Sequence, residues 1–211
     1  MKKSFEPGFI DPRELAFDID GVFADTINTF IEIAQKEYGL SHVKREKITT
    51  FDLSKCLDLD KDLILEIICK ALNDENTLRT KPFPDAAEIL TEFSKKSPLI
   101  FVTARVWGES IKKWIHNQLP EVPRDRIKVY ATGNPDKKLD VLRWEGIKYF
   151  VEDRLETCYL LHEAGIEPIV FDQPWNQEPH PFIRVGNWLE LKKLINLNHV
   201  NPDNLSSDNL R

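Results

Sequence analysis

Two aspartates, Asp18 and Asp20, end the short apolar run Leu15-Ala16-Phe17 and are followed at once by Gly21. Alternate residues of an extended chain point to one side, so the two carboxylates can converge on one ligand while Ile19 faces away. Gly21 permits the sharp exit that opens space above them. Carboxylates this close repel each other unless a cation lies between them or one carries a proton. A hard, oxygen-seeking ion such as Mg2+ fits, and it keeps coordination positions for water and phosphate. Taken alone, the pair also describes two solvated loop acids with a capping role. A calcium loop of the EF-hand kind is excluded: where it needs Asp or Asn at its fifth position and Gly at its sixth, Val22 and Phe23 stand here.

Three further groups follow in order along the chain. Val102-Thr103-Ala104-Arg105 closes an apolar run, where a hydroxyl and free backbone N–H groups make either a phosphate cradle or an ordinary helix cap. Lys137-Lys138 opens a helical pattern, and one of the two lysines could neutralise a phosphate together with an attacking carboxylate, or both could be solvated. Val151-Glu152-Asp153-Arg154 again sets acids directly after an apolar strand, where a second metal-binding group is expected if the first pair holds a cation.

These groups need a frame. After the apolar run at 15–17, strand patterns at 99–102, 127–130, 149–151 and 168–171 alternate with helical patterns from Pro84, which predicts a parallel sheet covered on both faces. Ligands of such sheets bind beyond the carboxyl ends of the strands, so Asp20, Thr103, Ala131-Thr132-Gly133, Asp153 and Asp172 share one rim. A helix after Asp25 carries Ile27, Phe30, Ile31, Ala34 and Tyr38 and is closed by Gly39. A second carries Leu63, Ile64, Ile67, Ile68, Ala71 and Leu72, and no strand pattern lies between Asp25 and Pro82. Asp85 with Glu88 predicts a capping box ahead of the next helix. The division expected is a Rossmann-like α/β core over 1–22 and 83–196, a mainly helical cap over 23–82, and a flexible tail over 197–211.

A length of 211 residues suffices for one domain with an insertion, and 41% hydrophobic with 30% charged residues is an ordinary globular composition. The net charge of -6 argues against general affinity for nucleic-acid polymers, which needs basic patches. A small anionic substrate remains compatible, because a bound cation inverts the local charge. Cys56, Cys69 and Cys158 show no metal-binding spacing and read as reduced, mainly buried thiols. Glu6, Pro7 and Asp11 stand where a secretory signal would be apolar, and no apolar run approaches a membrane span, so a cytoplasmic protein without a membrane partner is expected. Oligomeric state is not legible.

In this order, Asp18-Ile19-Asp20-Gly21-Val22, Thr103, the lysine pair and Glu152-Asp153 resemble the four motifs of the haloacid dehalogenase superfamily of phosphohydrolases, from about Glu14 to Ile195. The resemblance implies an aspartyl-phosphate intermediate on Asp18. It implies that Asp20 protonates the leaving oxygen and then activates water. Thr103 would hold the phosphoryl group and Lys138 orient it, with Lys137 the competing candidate. Asp153 would bind Mg2+ with Asp18 and the main-chain carbonyl of Asp20, Glu152 being accessory. The helical insertion, the Val151–Arg154 form and Phe171-Asp172-Gln173-Pro174-Trp175-Asn176 also resemble bacterial relatives of the 5'(3')-deoxyribonucleotidases. That likeness implies a nucleoside or deoxynucleoside monophosphate substrate. Phe23 and Phe51 could stack on its base, and Ala104, Arg105 and Trp175 could line the site, although both phenylalanines also suit cap packing and Trp175 a hydrophobic plug. Two alternatives stay open: a phosphatase for another small metabolite such as a sugar phosphate, and a non-enzymatic receiver-like phosphoacceptor. The latter carries its phosphorylated aspartate on a later strand and has no helical cap of this size.

Overall fold

The computed structural model describes residues 8–197, and the expected tail beyond Leu197 lies outside the described residues. Its centre is a six-stranded, wholly parallel sheet. The strands are β1 (Leu15–Phe17), β2 (Leu99–Thr103), β3 (Ile127–Ala131), β4 (Tyr149–Glu152), β5 (Glu167–Phe171) and β6 (Ile183–Val185), in the order β3-β2-β1-β4-β5-β6. Side chains alternate between two buried faces. Phe17, Phe101, Val151 and Ile169 enter the larger core with Trp114 and Trp188, while Ala16, Ile100, Val102 and Phe150 enter the opposite one with Leu142 and Leu161. Burial on both faces is why these strands read as unbroken apolar runs. β6 escaped the sequence reading because Ile183-Arg184-Val185 is short and has a polar centre, and its pairing partner β5 supplies what its own pattern lacks.

After β3 the chain returns past β2 to place β4 beside β1, so the strand order reverses there. A crevice forms at such a reversal, beyond the strand ends. Its flanking residues are Asp18 after β1 and Asp153 after β4.

Between β1 and the helix α4 (Ala86–Ser94), the chain forms α1 (Thr26–Tyr38), α2 (Lys61–Ala71) and α3 (Asp74–Arg79), without a strand among the described residues. Asp25 caps α1 by accepting from the Asn28 N–H at 3.2 Å, and Gly39 ends it at φ 69°, a conformation that favours glycine. Phe30, Ile33, Ile48, Leu53, Ile64 and Ile67 build a separate hydrophobic cluster here, against which Trp175 packs from the sheet side. The segments leading into and out of this helical layer are tied together by Asp25 N–H donating to the Lys81 carbonyl and Phe83 N–H to the Phe23 carbonyl, each at 2.9 Å. Two core indoles hold the same segments: Trp188 Nε1 donates to the Val22 carbonyl at 3.0 Å, and Trp114 Nε1 to the Thr80 carbonyl at 2.7 Å.

The remaining helices are α5 (Glu109–Gln118), α6 (Lys138–Trp144), α7 (Leu155–Glu163) and α8 (Trp188–Leu194). One local expectation fails. Asp85 makes no side-chain cap bond; it stands at φ 63°, in the left-handed region, whereas a capping side chain works from an extended backbone. Cys158 is buried as expected, whereas Cys69 is exposed on α2. Among the described residues, no helix is long and apolar enough to cross a membrane.

Candidate active site

A cavity of about 350 Å3 lies between the carboxyl ends of β1, β2 and β4 and the helical layer above them. Its floor holds Asp18, Thr103, Lys138, Glu152 and Asp153, all buried. The ladder carries Asp18 to this point, because its N–H continues the β1–β4 pairing by donating to the Val151 carbonyl at 2.9 Å.

Of the two adjacent lysines, it is Lys138, 3% exposed, that the fold brings to this floor. Its Nζ lies 2.9 Å from both Asp18 Oδ2 and Glu152 Oε2, whereas Lys137 points outward from a 3-10 turn. Burial works against the Lys138 charge, but the two carboxylates outweigh it and raise the ammonium above its ordinary value. Burial alone would raise Glu152; Lys138 overrides it and holds that carboxyl below its usual range. Glu152 Oε1 also accepts the Asp153 and Arg154 N–H groups, both at 3.1 Å. Glu152 is therefore a fixed ionised brace for Lys138.

Asp18 and Asp153 are different. Burial pushes both carboxyls well above the ordinary value; Lys138 opposes this for each, while the charge of Glu152 adds to it. Asp18 Oδ1 is buried and meets no hydrogen-bond donor among the described residues. An uncovered carboxylate oxygen of this kind is costly unless a cation or proton meets it. Ligand atoms of Asp18, Glu152 and Asp153 all lie within 4.8 Å of one another, so the donor set is oxygen only, which suits a hard divalent ion. Gly21 belongs to this arrangement. At φ +81° it turns the chain beside Asp153, and a Cβ there would stand 2.2 Å from Asp153 Oδ2.

The Asp20 carboxylate lines the same cavity outside that three-acid group. Arg105 grips it with Nε to Oδ2 at 2.9 Å and Nη2 to Oδ1 at 2.7 Å, and the Thr26 hydroxyl adds a short hydrogen bond to Oδ1. Burial would raise this carboxyl, but the Arg105 charge, with the hydrogen bonds from Arg105 and Thr26, holds it below its usual range. Only the main-chain carbonyl of Asp20 remains as the ligand expected of it. Arg105 lines the cavity with its guanidinium engaged by Asp20, and its backbone N–H donates to Thr103 Oγ1 at 3.2 Å. Ala104 lines the cavity beside it.

The upper wall is apolar: Ile27, Phe30, Ile48, Leu53, Ile68 and Ala71 face the cavity from the helical layer. Phe51, 50% exposed, stands at the wall with the Arg154 guanidinium 4.7 Å from its ring centre. Trp175 lines the cavity too, and its Nε1 donates to Asp153 Oδ2 at 2.9 Å, so it is more than a plug. Phe23 is not brought here. It is fully buried between Trp114 and Phe101, with ring centres at 4.8 and 5.7 Å, because the turn after Gly21 directs it into the core.

Sequence reasoning passed over several residues that hold the site together. Gln173 Nε2 donates to the Gly21 carbonyl at 2.7 Å, and Asn176 Nδ2 donates to the Asp153 and Phe171 carbonyls, both at 2.8 Å. Arg45 spans from the helical layer to Asp25 and Gln173. The clue available in sequence was the polar, proline-bearing segment 172–176 directly after an apolar strand.

The family profile described as 5' nucleotidase, deoxy (pyrimidine), cytosolic type C matches residues 13–200. A nucleotidase of Clostridium acetobutylicum is 24% identical over 191 residues, covering 88% of this chain and 95% of its own. A 5'(3')-deoxyribonucleotidase of Bacillus subtilis is 23% identical over 187 residues, covering 87% and 98%. Among solved structures, a haloacid dehalogenase-like family hydrolase of Streptococcus pneumoniae superposes with a TM-score of 0.54 at 16% identity, covering 81% of this chain and 92% of its own, a likeness of fold.

Proposed function

We propose that this chain, which belongs to the family of 5' nucleotidase, deoxy (pyrimidine), cytosolic type C proteins, hydrolyses nucleoside or deoxynucleoside monophosphates through a phosphorylated Asp18. The observation that carries the reading is the buried carboxylate of Asp18, paired with Lys138 on one oxygen and uncovered on the other, beneath a cavity with an apolar upper wall. The nucleotidase names of its relatives support the same substrate class.

In the first step a carboxylate oxygen of Asp18 attacks phosphorus, the ester P–O bond breaks, and the departing oxygen takes a proton from Asp20. In the second, water gives a proton to Asp20 and attacks the same phosphorus, releasing Asp18 and inorganic phosphate. Lys138 keeps the attacking carboxylate and the incoming phosphate from repelling each other, and Thr103 holds a phosphoryl oxygen by its hydroxyl. Asp18, Asp153 and the Asp20 carbonyl, with Glu152 behind them, would hold Mg2+. When bound, the ion supplies neutralisation of phosphoryl charge. The layer over 23–82 acts as a cap that excludes water from the floor.

The apolar wall favours a base over the hydroxyl-rich body of a sugar phosphate. Phe51, half-exposed at the cavity wall, would stack on that base. Stacking on an aromatic is worth roughly 1–3 kcal/mol, about 5- to 150-fold in kcat/KM if it persists into the transition state. Thymidine or uridine monophosphate should therefore be preferred over ribose 5-phosphate in Mg2+, Asp18→Asn should abolish both activities, and Phe51→Ala should remove much of the preference. Equal or better hydrolysis of ribose 5-phosphate would refute the nucleotide reading, and full activity in excess chelator would refute the metal-assisted one.

A further inference from the structure

Arg105 makes three directed side-chain contacts, and they do not all go to one element. Two N–H groups clasp both oxygens of Asp20, at 2.9 and 2.7 Å. The third, from Nη1, donates to Thr77 Oγ1 at 2.7 Å. Thr77 is fully buried on α3, within the helical layer, and its hydroxyl also reaches the Leu72 carbonyl at 3.2 Å. The Arg105 side chain is itself only 7% exposed. One planar group thus joins the sheet rim, the Asp20 carboxylate and the helical layer. A guanidinium suits this task, because its donors are fixed in one plane and a lysine can supply only a single point of charge.

We propose that Arg105 is a positioning residue that aligns the Asp20 carboxylate and makes that alignment depend on the seating of α3 against the core. The proposal rests on the acid–base assignment of Asp20 made above. The two bonds to Asp20 fix the plane of its carboxyl, and the bond to Thr77 fixes the guanidinium that makes them. When α3 is unseated the third bond is absent, and Asp20 is left with the Thr26 hydroxyl and an unanchored guanidinium.

The test compares kcat/KM for thymidine monophosphate, whose alkoxide needs a proton to leave, with 4-nitrophenyl phosphate, whose leaving group does not. This constant reports the first chemical step, before the shared hydrolysis of the intermediate. Thr77→Val and Arg105→Lys should each lower the nucleotide value at least ten times more than the aryl value, within the roughly 100- to 10,000-fold that general acid catalysis supplies. Thr77→Ser, which retains the hydroxyl, should restore the wild-type ratio. In an Asp20→Asn background Thr77→Val should change the ratio by less than about 2-fold, because partners in one network are not additive. If Arg105 instead serves the phosphate, Arg105→Lys will lower both values alike and weaken inhibition by inorganic phosphate, and the proposal fails. It fails equally if Thr77→Val leaves the ratio unchanged while Asp20→Asn shifts it. A ratio unmoved by Asp20→Asn overturns the acid assignment itself, and with it this coupling.

Discussion

Replacing Gly21 with alanine tests the packing of the acid cluster most directly. At φ +81° a residue with a Cβ is strained by roughly 1–2 kcal/mol. The new methyl would also stand 2.2 Å from Asp153 Oδ2, closer than such atoms can approach, so the carboxylate has to swing away. That movement breaks its hydrogen bond from Trp175 Nε1, worth roughly 0.5–1.5 kcal/mol. The net expectation is about 1.5–3.5 kcal/mol, which for a chain of this size lowers Tm by about 3–14 °C. Calorimetry or circular dichroism in excess chelator measures this without any contribution from bound ions. The same displacement should raise the Mg2+ concentration giving half-maximal phosphatase activity by tenfold or more. A variant melting within 2 °C of wild type, with an unchanged Mg2+ requirement, would show that the close approach of Gly21 to Asp153 does no structural work.

Lys138→Met strands two buried carboxylates and should cost about 3–5 kcal/mol along with all turnover, while Lys137→Met should stay within about 0.5 kcal/mol; equal melting temperatures for the two would contradict the assignment. Asp20→Asn should lower kcat/KM for a nucleoside monophosphate far more than for an aryl phosphate, and equal losses would remove its acid role. Burial first, reinforced by neighbouring acids, raises the Asp18 and Asp153 carboxyls, so their protonated forms favour the native state. That stabilisation is present below the ordinary carboxylate range and is lost as pH rises through the raised values. In chelator the melting temperature should therefore fall between pH 5 and pH 8 and Mg2+ should restore it increasingly toward pH 8, whereas a metal effect equal at both values would contradict this account.

Much of the molecule was legible in the chain because its signals are local. Strands β1, β2, β4 and β5 are largely apolar runs since both faces of a parallel sheet are buried, and that property needs no knowledge of neighbours. Asp18, Thr103, Lys138 and Asp153 could be named because each directly follows an apolar strand or opens the helix after one. Asp25 and Gly39 announced the ends of α1 by their own chemistry. Tertiary structure decided the rest, where the outcome depends on which distant group arrives. Lys137 and Lys138 are the same residue type in adjacent positions, and only the pitch of α6 against β4 buries one between Asp18 and Glu152. Phe23 and Phe51 are equally aromatic, yet the turn at Gly21 sends the first into the core and a loop of the helical layer leaves the second at the cavity. Arg105 carries no local mark of its partners: Asp20 lies 85 positions away and Thr77 28, and a guanidinium is drawn to whichever acceptors the fold brings within reach of its fixed plane.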